Sequence, residues 1–178
     1  MSLSLVDLDQ PSTRKFMLAE IELDIASGHL YISPRLSASG ARDYPDLLRE
    51  AARNGTDTSL AAELRAIGRM NTTEQRRKPK GGFTTAQVPV DAPETLAEGE
   101  FNRFYARGLC RRAIVEGIET MVVYRAKPVD NPRPECQALI GTHLSPQQLL
   151  HDLREHVGTD TALGVPAGPN SGLSVRLP

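Results

Sequence analysis

The amino-acid sequence predicts an α+β fold, a predominantly helical body with a small sheet, and three observations carry that reading. Apolar residues recur at three- and four-residue spacing in segments opened by cap-and-proline signals or closed by glycine. One segment, ETMVVYRAK at 119–127, alternates as a strand does. Fourteen glycines and 13 prolines, set against four Phe, four Tyr and no Trp, imply a modest core with much loop. The 178 residues fit one domain. We divide them into a body over 1–158, with a long loop at 71–90, and an extended C-terminal arm over 159–178.

The first helix is expected over 12–27, where Phe16, Met17, Ile21 and Ile25 share a face and Gly28 supplies a left-handed stop. His29 to Ser33 has the β-branched and aromatic character of a short strand, ended by Pro34. Asp43-Tyr44-Pro45 reads as a cap with proline in the first turn, leading a helix that ends at Asn54-Gly55. A second short helix follows, capped by Asp57 and lined by Leu60, Leu64 and Ile67. From Asn71 to Val90 no periodicity survives, and the segment reads as a basic loop or arm.

Asp91-Ala92-Pro93-Glu94 carries the elements of a capping box for a long helix that stops at Gly117. In that helix Ala97, Phe101, Tyr105, Leu109 and Ala113 form an apolar stripe, and Arg103, Arg107 and Arg111 form another about 200° away. One face is thus expected to be core and the other basic. After the strand at 119–127 comes the proline-rich linker VDNPRPE, and QALIGTHL is expected to add a short second strand. Ser145-Pro146 opens a last helix with Leu149, Leu150, Leu153 and Val157 on its buried face. The end of the chain alternates at Leu173-Ser174-Val175-Arg176-Leu177 and is expected to be a strand-forming arm.

Function is constrained mainly by what is missing. No run of about 18 apolar residues is present, and the acidic start MSLSLVDLDQ is unlike a signal peptide, so a cytoplasmic or particle-associated protein that is not secreted is expected. Two cysteines, Cys110 and Cys136, are too few for a disulfide scaffold and are read as free thiols. The four histidines, His29, His143, His151 and His156, have no convergent ligand spacing, so neither metal nor cofactor is expected. Walker, dinucleotide, nucleophile-elbow and HExxH patterns are all lacking. Glu20, Glu22 and Asp24 alternate along the first helix and are read as solvated surface.

The net charge of −1 conceals a basic middle: residues 1–75 sum to −3, 76–112 to +4 and 113–178 to −2. Arg76, Arg77, Lys78 and Lys80 in the loop, with Arg103, Arg107, Arg111 and Arg112 on the long helix, are therefore candidates for contact with a partner or with phosphate. Leu173, Val175, Arg176 and Leu177 are the candidate assembly arm, able to add a strand to another subunit. The run EGEFNRFYARGLCRRAIVEG, then VVYRAK and the ending PAGPNSGLSVRLP, resembles uncharacterised bacterial and phage-associated proteins, a resemblance that implies no role for any residue. The leading expectation is a non-enzymatic assembly protein, a subunit or accessory of a larger bacterial or phage particle, bound to copies of itself or to other subunits. The alternative is a nucleic-acid-binding or regulatory protein using the basic loop and arginine row. For a third reading, an enzyme, Tyr105, Arg107, Tyr124 and Arg125 are the polar residues to inspect first.

Overall fold

A computed structural model describes residues 2–159, 161–166, 168 and 171–178. Asp160, Ala167, Pro169 and Asn170 of the expected arm lie outside the described residues. The chain runs α1 (Pro11–Ser27), α2 (Ala38–Asn54), α3 (Asp57–Leu64), β1 (Thr73–Arg77), β2 (Phe83–Gln87), α4 (Ala92–Glu116), β3 (Met121–Arg125), α5 (Pro134–Leu139), β4 (His143–Leu144), α6 (Pro146–Glu155) and β5 (Leu173–Arg176). The class is α+β, about 48% helical with a small antiparallel sheet.

Helix α4 is the axis of the body. Its 25 residues span about 37 Å at 1.5 Å per residue, and Phe101, Phe104, Tyr105 and Leu109 are all fully buried. Helices α1, α3 and α6 pack around it. The closest approach is at Gly108, where a Cβ would lie 2.6 Å from the Met17 backbone nitrogen, so only glycine lets α1 settle this deeply. Gly28 and Gly117, at φ 72° each, end α1 and α4 in the left-handed conformation with their N–H groups returned to the helix carbonyls.

On the far side the three-stranded sheet has the order β4-β3-β5, both pairings antiparallel. Met121, Val123, Leu173 and Val175 are buried in it. Asn102 of α4 donates to the Leu173 carbonyl at 2.8 Å and accepts from the Ser174 hydroxyl at 2.7 Å, fixing β5 against the helix. The C-terminal segment is thus not a free arm. Its alternating apolar residues find their partner strand in the same chain, Val123 opposite Val175, and Leu177 N–H reaches Asp7 Oδ2 at 3.3 Å. The N-terminal strap closes the same region: Tyr124 donates to the Ser4 carbonyl at 2.6 Å, and Asp7 N–H donates to the Tyr105 hydroxyl at 3.2 Å.

Four local expectations need correction. The 29–33 segment is not a strand; Leu30 N–H returns to the Asp24 carbonyl at 3.2 Å, and Leu30 and Tyr31 pack onto the core instead of pairing. Helix α2 starts at Ala38, capped by Ser37, with Pro45 inside it. What fixes that earlier start is tertiary: Ser37 N–H bonds the Arg69 carbonyl at 2.9 Å, and Leu36 bridges Met70. Asp91 makes no side-chain cap, and Glu94 pairs with Arg65 at 2.5 Å instead of closing a capping box. Residues 134–139 form α5, which leaves only His143–Leu144 of the expected QALIGTHL strand.

The expected loop at 71–90 is largely a β-hairpin, with Thr73 opposite Gln87 and Arg77 opposite Phe83. Its turn is Lys78-Pro79-Lys80-Gly81-Gly82, where both glycines have positive φ. Neither strand has an apolar face, since only Glu74 and Ala86 are partly buried, and a hairpin polar on both sides lacks the alternation by which strands are recognised.

Gly108→Ala is expected to lower unfolding free energy by about 2 kcal/mol, the cost of forcing a methyl into a packed contact, whereas an exposed helix would gain from alanine. Chemical denaturation reads the difference. Removing residues 171–178 is expected to unfold the sheet side, seen as lost protection of β3 amides in hydrogen exchange, instead of leaving an intact body.

Candidate functional site

The basic middle divides into an internal half and an external half. Glu20 and Asp24 lie four residues apart on α1 and so project from one face. The contact at Gly108 brings that face against α4, next to Arg107, the largest fully buried side chain among the described residues. Arg107 Nε and Nη2 donate to Glu20 Oε2 at 2.9 and 2.8 Å, while Nη1 and Nη2 donate to the two Asp24 oxygens at 2.7 Å each. Arg103, 4% exposed, is held by Glu100 at 2.6 and 3.3 Å, and Asp24 is 3.8 Å away. Both guanidinium groups stand over Phe104, 4.7 and 5.0 Å from the ring centre. From α6, Arg154 completes the cluster on Glu20 at 2.6 and 3.0 Å.

The expected guanidinium row facing a partner is therefore corrected for Arg103 and Arg107, which are interior and neutralised. Arg111 lies at the edge, 3.4 Å from Glu20 and over the Phe16 ring, and Arg112 pairs with Glu116 at 2.8 Å and Asp7 at 3.5 Å. The solvated reading of the α1 carboxylates holds only for Glu22, which meets Arg49 at the surface. Considering Glu20 with Glu22, two residues apart, hid the pair that matters. Glu20 with Asp24 was the available signal, together with the small residue at 108 that permits close approach.

Burial alone would push the Glu20 carboxyl up, but hydrogen bonds from Arg154 and Arg107 outweigh it and hold the group below its ordinary value of 4.5. Burial alone would likewise lower Arg107, and Asp24 and Glu20 reverse that, so the guanidinium stays charged. Cys110, fully buried nearby, has its thiol pushed well up by burial and by the Glu20 charge, which keeps it protonated and poorly nucleophilic.

The hairpin is the external half. Arg76 is tied to Glu74 at 2.7 Å, but Arg77, Lys78 and Lys80 make no ion pair among the described residues, and Phe83 beside the turn is 68% exposed. Only the base is anchored, where Glu74 takes Arg35 at 2.6 and 3.3 Å and Thr72 accepts from Val88 N–H at 3.0 Å. Of the expected arm, Leu173 and Val175 are buried, Leu177 packs on the core edge, and Arg176 is exposed with its guanidinium 6.0 Å from the Tyr124 ring centre. The four residues named for an enzyme do not converge: Tyr105 and Tyr124 tie down the N-terminal strap, Arg107 is in the buried cluster, and Arg125 bonds the Ser171 carbonyl at 3.0 Å and Gln137 at 2.9 Å. Among the described residues no group of three or more His, Cys, Asp or Glu is placed to hold a metal, and no helix is long and apolar enough to cross a membrane. Compared with known proteins, the chain matches no family model, no curated protein and no solved structure.

Arg107→Met is expected to cost about 3–5 kcal/mol, because Glu20 and Asp24 would remain buried without their main cation. Since the folded-state pKa of Glu20 is depressed, its contribution is complete above pH 4.5 and fades as pH falls below that value. Glu20→Gln should thus lower stability at pH 7 and flatten the loss of stability between pH 4.5 and 3, as read by urea titrations across that range.

Proposed function

We propose that the protein is a non-enzymatic assembly subunit that docks through the β1–β2 hairpin onto an acidic surface of a neighbouring subunit. The observation that carries this reading is the hairpin itself: ten strand residues with neither face buried and, among the described residues, both outer edges unpaired and Arg77, Lys78 and Lys80 uncompensated at the turn. A two-stranded hairpin is marginal in water by itself, and open strand edges invite pairing with another chain. The exposed Phe83 beside three cations suits a protein surface that offers carboxylates around an apolar patch.

The same three cations favour a second reading, docking on nucleic acid. With Arg103 and Arg107 buried and paired, few cations remain, and three phosphate contacts would give a salt slope of only about −3 on duplex DNA. That is weak binding at physiological salt. The protein reading supplies the apolar contact and strand pairing that the phosphate reading leaves unused.

The test is the hydrodynamic size of the chain in extracts of its own cells, compared with a variant in which Arg77, Lys78 and Lys80 are serine. The expected result is a complex far larger than one chain, resistant to nuclease, dispersed by salt at about 0.5 M, and absent in the variant. A complex dissolved by nuclease would replace this reading with the nucleic-acid one. A variant that assembles normally, or a native chain that runs as a monomer, would overturn it. Because Thr72 and Val88 are bonded to each other, residues 73–87 can be replaced by a two-residue glycine turn, and the body should then keep its unfolding free energy within about 1 kcal/mol.

A further inference from the structure

A cleft of about 680 Å³ opens between the start of α4, the Tyr31–Arg35 segment, the base of the hairpin and Gly158, Thr159, Thr161, Pro166 and Gly168. The docking reading does not use it, and its size is that of a small-molecule site.

Among the described residues on its wall, charges come in matched pairs. Arg35 is clamped to Glu74, and Arg103 to Glu100. A free anion entering the cleft meets Glu74 and Glu100, and a free cation meets Arg35 and Arg103. What these described residues hold in surplus is hydrogen-bonding capacity without net charge. The hydroxyls of Tyr31, Thr95 and Thr159, all on the wall, make no hydrogen bond among the described residues. The Tyr31 ring is also fixed in place: Gly158 packs so closely that a Cβ there would lie 2.5 Å from it.

An aromatic ring beside neutral, interleaved donors and acceptors matches a hydroxyl-rich ring compound. Each ligand hydroxyl can donate to a carboxylate and accept from a guanidinium, while ring C–H groups cover the tyrosine. We propose that this cleft binds an uncharged sugar of monosaccharide size, with Tyr31, Thr95 and Thr159 as its contacts.

The experiment is saturation-transfer NMR and calorimetry on the full chain with D-glucose, D-galactose, D-mannose and D-ribose, and with inorganic phosphate and spermidine as charged comparators. The expected result is binding of at least one sugar at millimolar Kd or tighter, with saturation strongest on its C–H protons. Thr95→Val with Thr159→Val, and separately Tyr31→Ala, should each weaken that binding about tenfold while leaving the thermal transition in place. Binding of phosphate or spermidine with no sugar bound, no binding of any sugar, or valine variants that bind as the parent does would each overturn the assignment.

Discussion

Arg107 is the charge around which the body is organised. A guanidinium taken out of water is tolerable only if its hydrogen bonds are met and its charge compensated. Here α1 supplies both carboxylates from one face, at 2.7 to 2.9 Å. The register of α1 on α4 follows, because sliding α1 by a turn would strand Glu20 or Asp24 in a dry interface. Gly108 makes the distance possible, and Arg154 carries the same constraint to α6. Three helices are thus held in mutual register by one carboxylate, that of Glu20. Apolar packing around Phe101, Phe104 and Leu109 contributes the bulk of the driving force but is less particular about orientation.

With the helices locked in this way, the surface separates into parts that serve the fold and parts that do not. The chain's two ends, the obvious candidates for reaching outward, are spent on closing the sheet side through Ser4, Asp7, Asn102 and Leu177. The hairpin contributes little to the core and is held chiefly by Arg35 at Glu74 and by the backbone at its base. That light integration is the physical ground for proposing it as the contact element.

Much of the architecture was legible in the residues. Helices α1, α4 and α6, strand β3 and the glycine stops rest on strong local signals, and those elements form where periodicity and the proline and glycine signals place them, although the capping box read at Asp91 does not close. Elements whose ends are set by distant contacts were not legible. Ser37 caps α2 because Arg69 and Met70 come back to meet its neighbourhood, and no local pattern encodes that. The hairpin escaped because its strands are polar on both faces. For the site, the arginines of α4 are visible as a stripe, but a stripe at helical spacing looks the same whether it faces water or two carboxylates of another helix, and Arg103 and Arg107 are buried. Only pairing Glu20 with Asp24 would have distinguished them.

Arginine serves in two different media in this chain, and the two sets should age differently. At the hairpin turn a cation is a solvated point charge, and Arg77, Lys78 and Lys80 already mix the two residue types within four positions. Inside, Arg107 uses Nε, Nη1 and Nη2 at once as a planar fork, a geometry that an ammonium cannot reproduce. Drift between lysine and arginine is thus free at the turn and barred at 107, so in diverging copies of this sequence the identity of the cation, more than its charge, marks which side of the solvent boundary a position occupies.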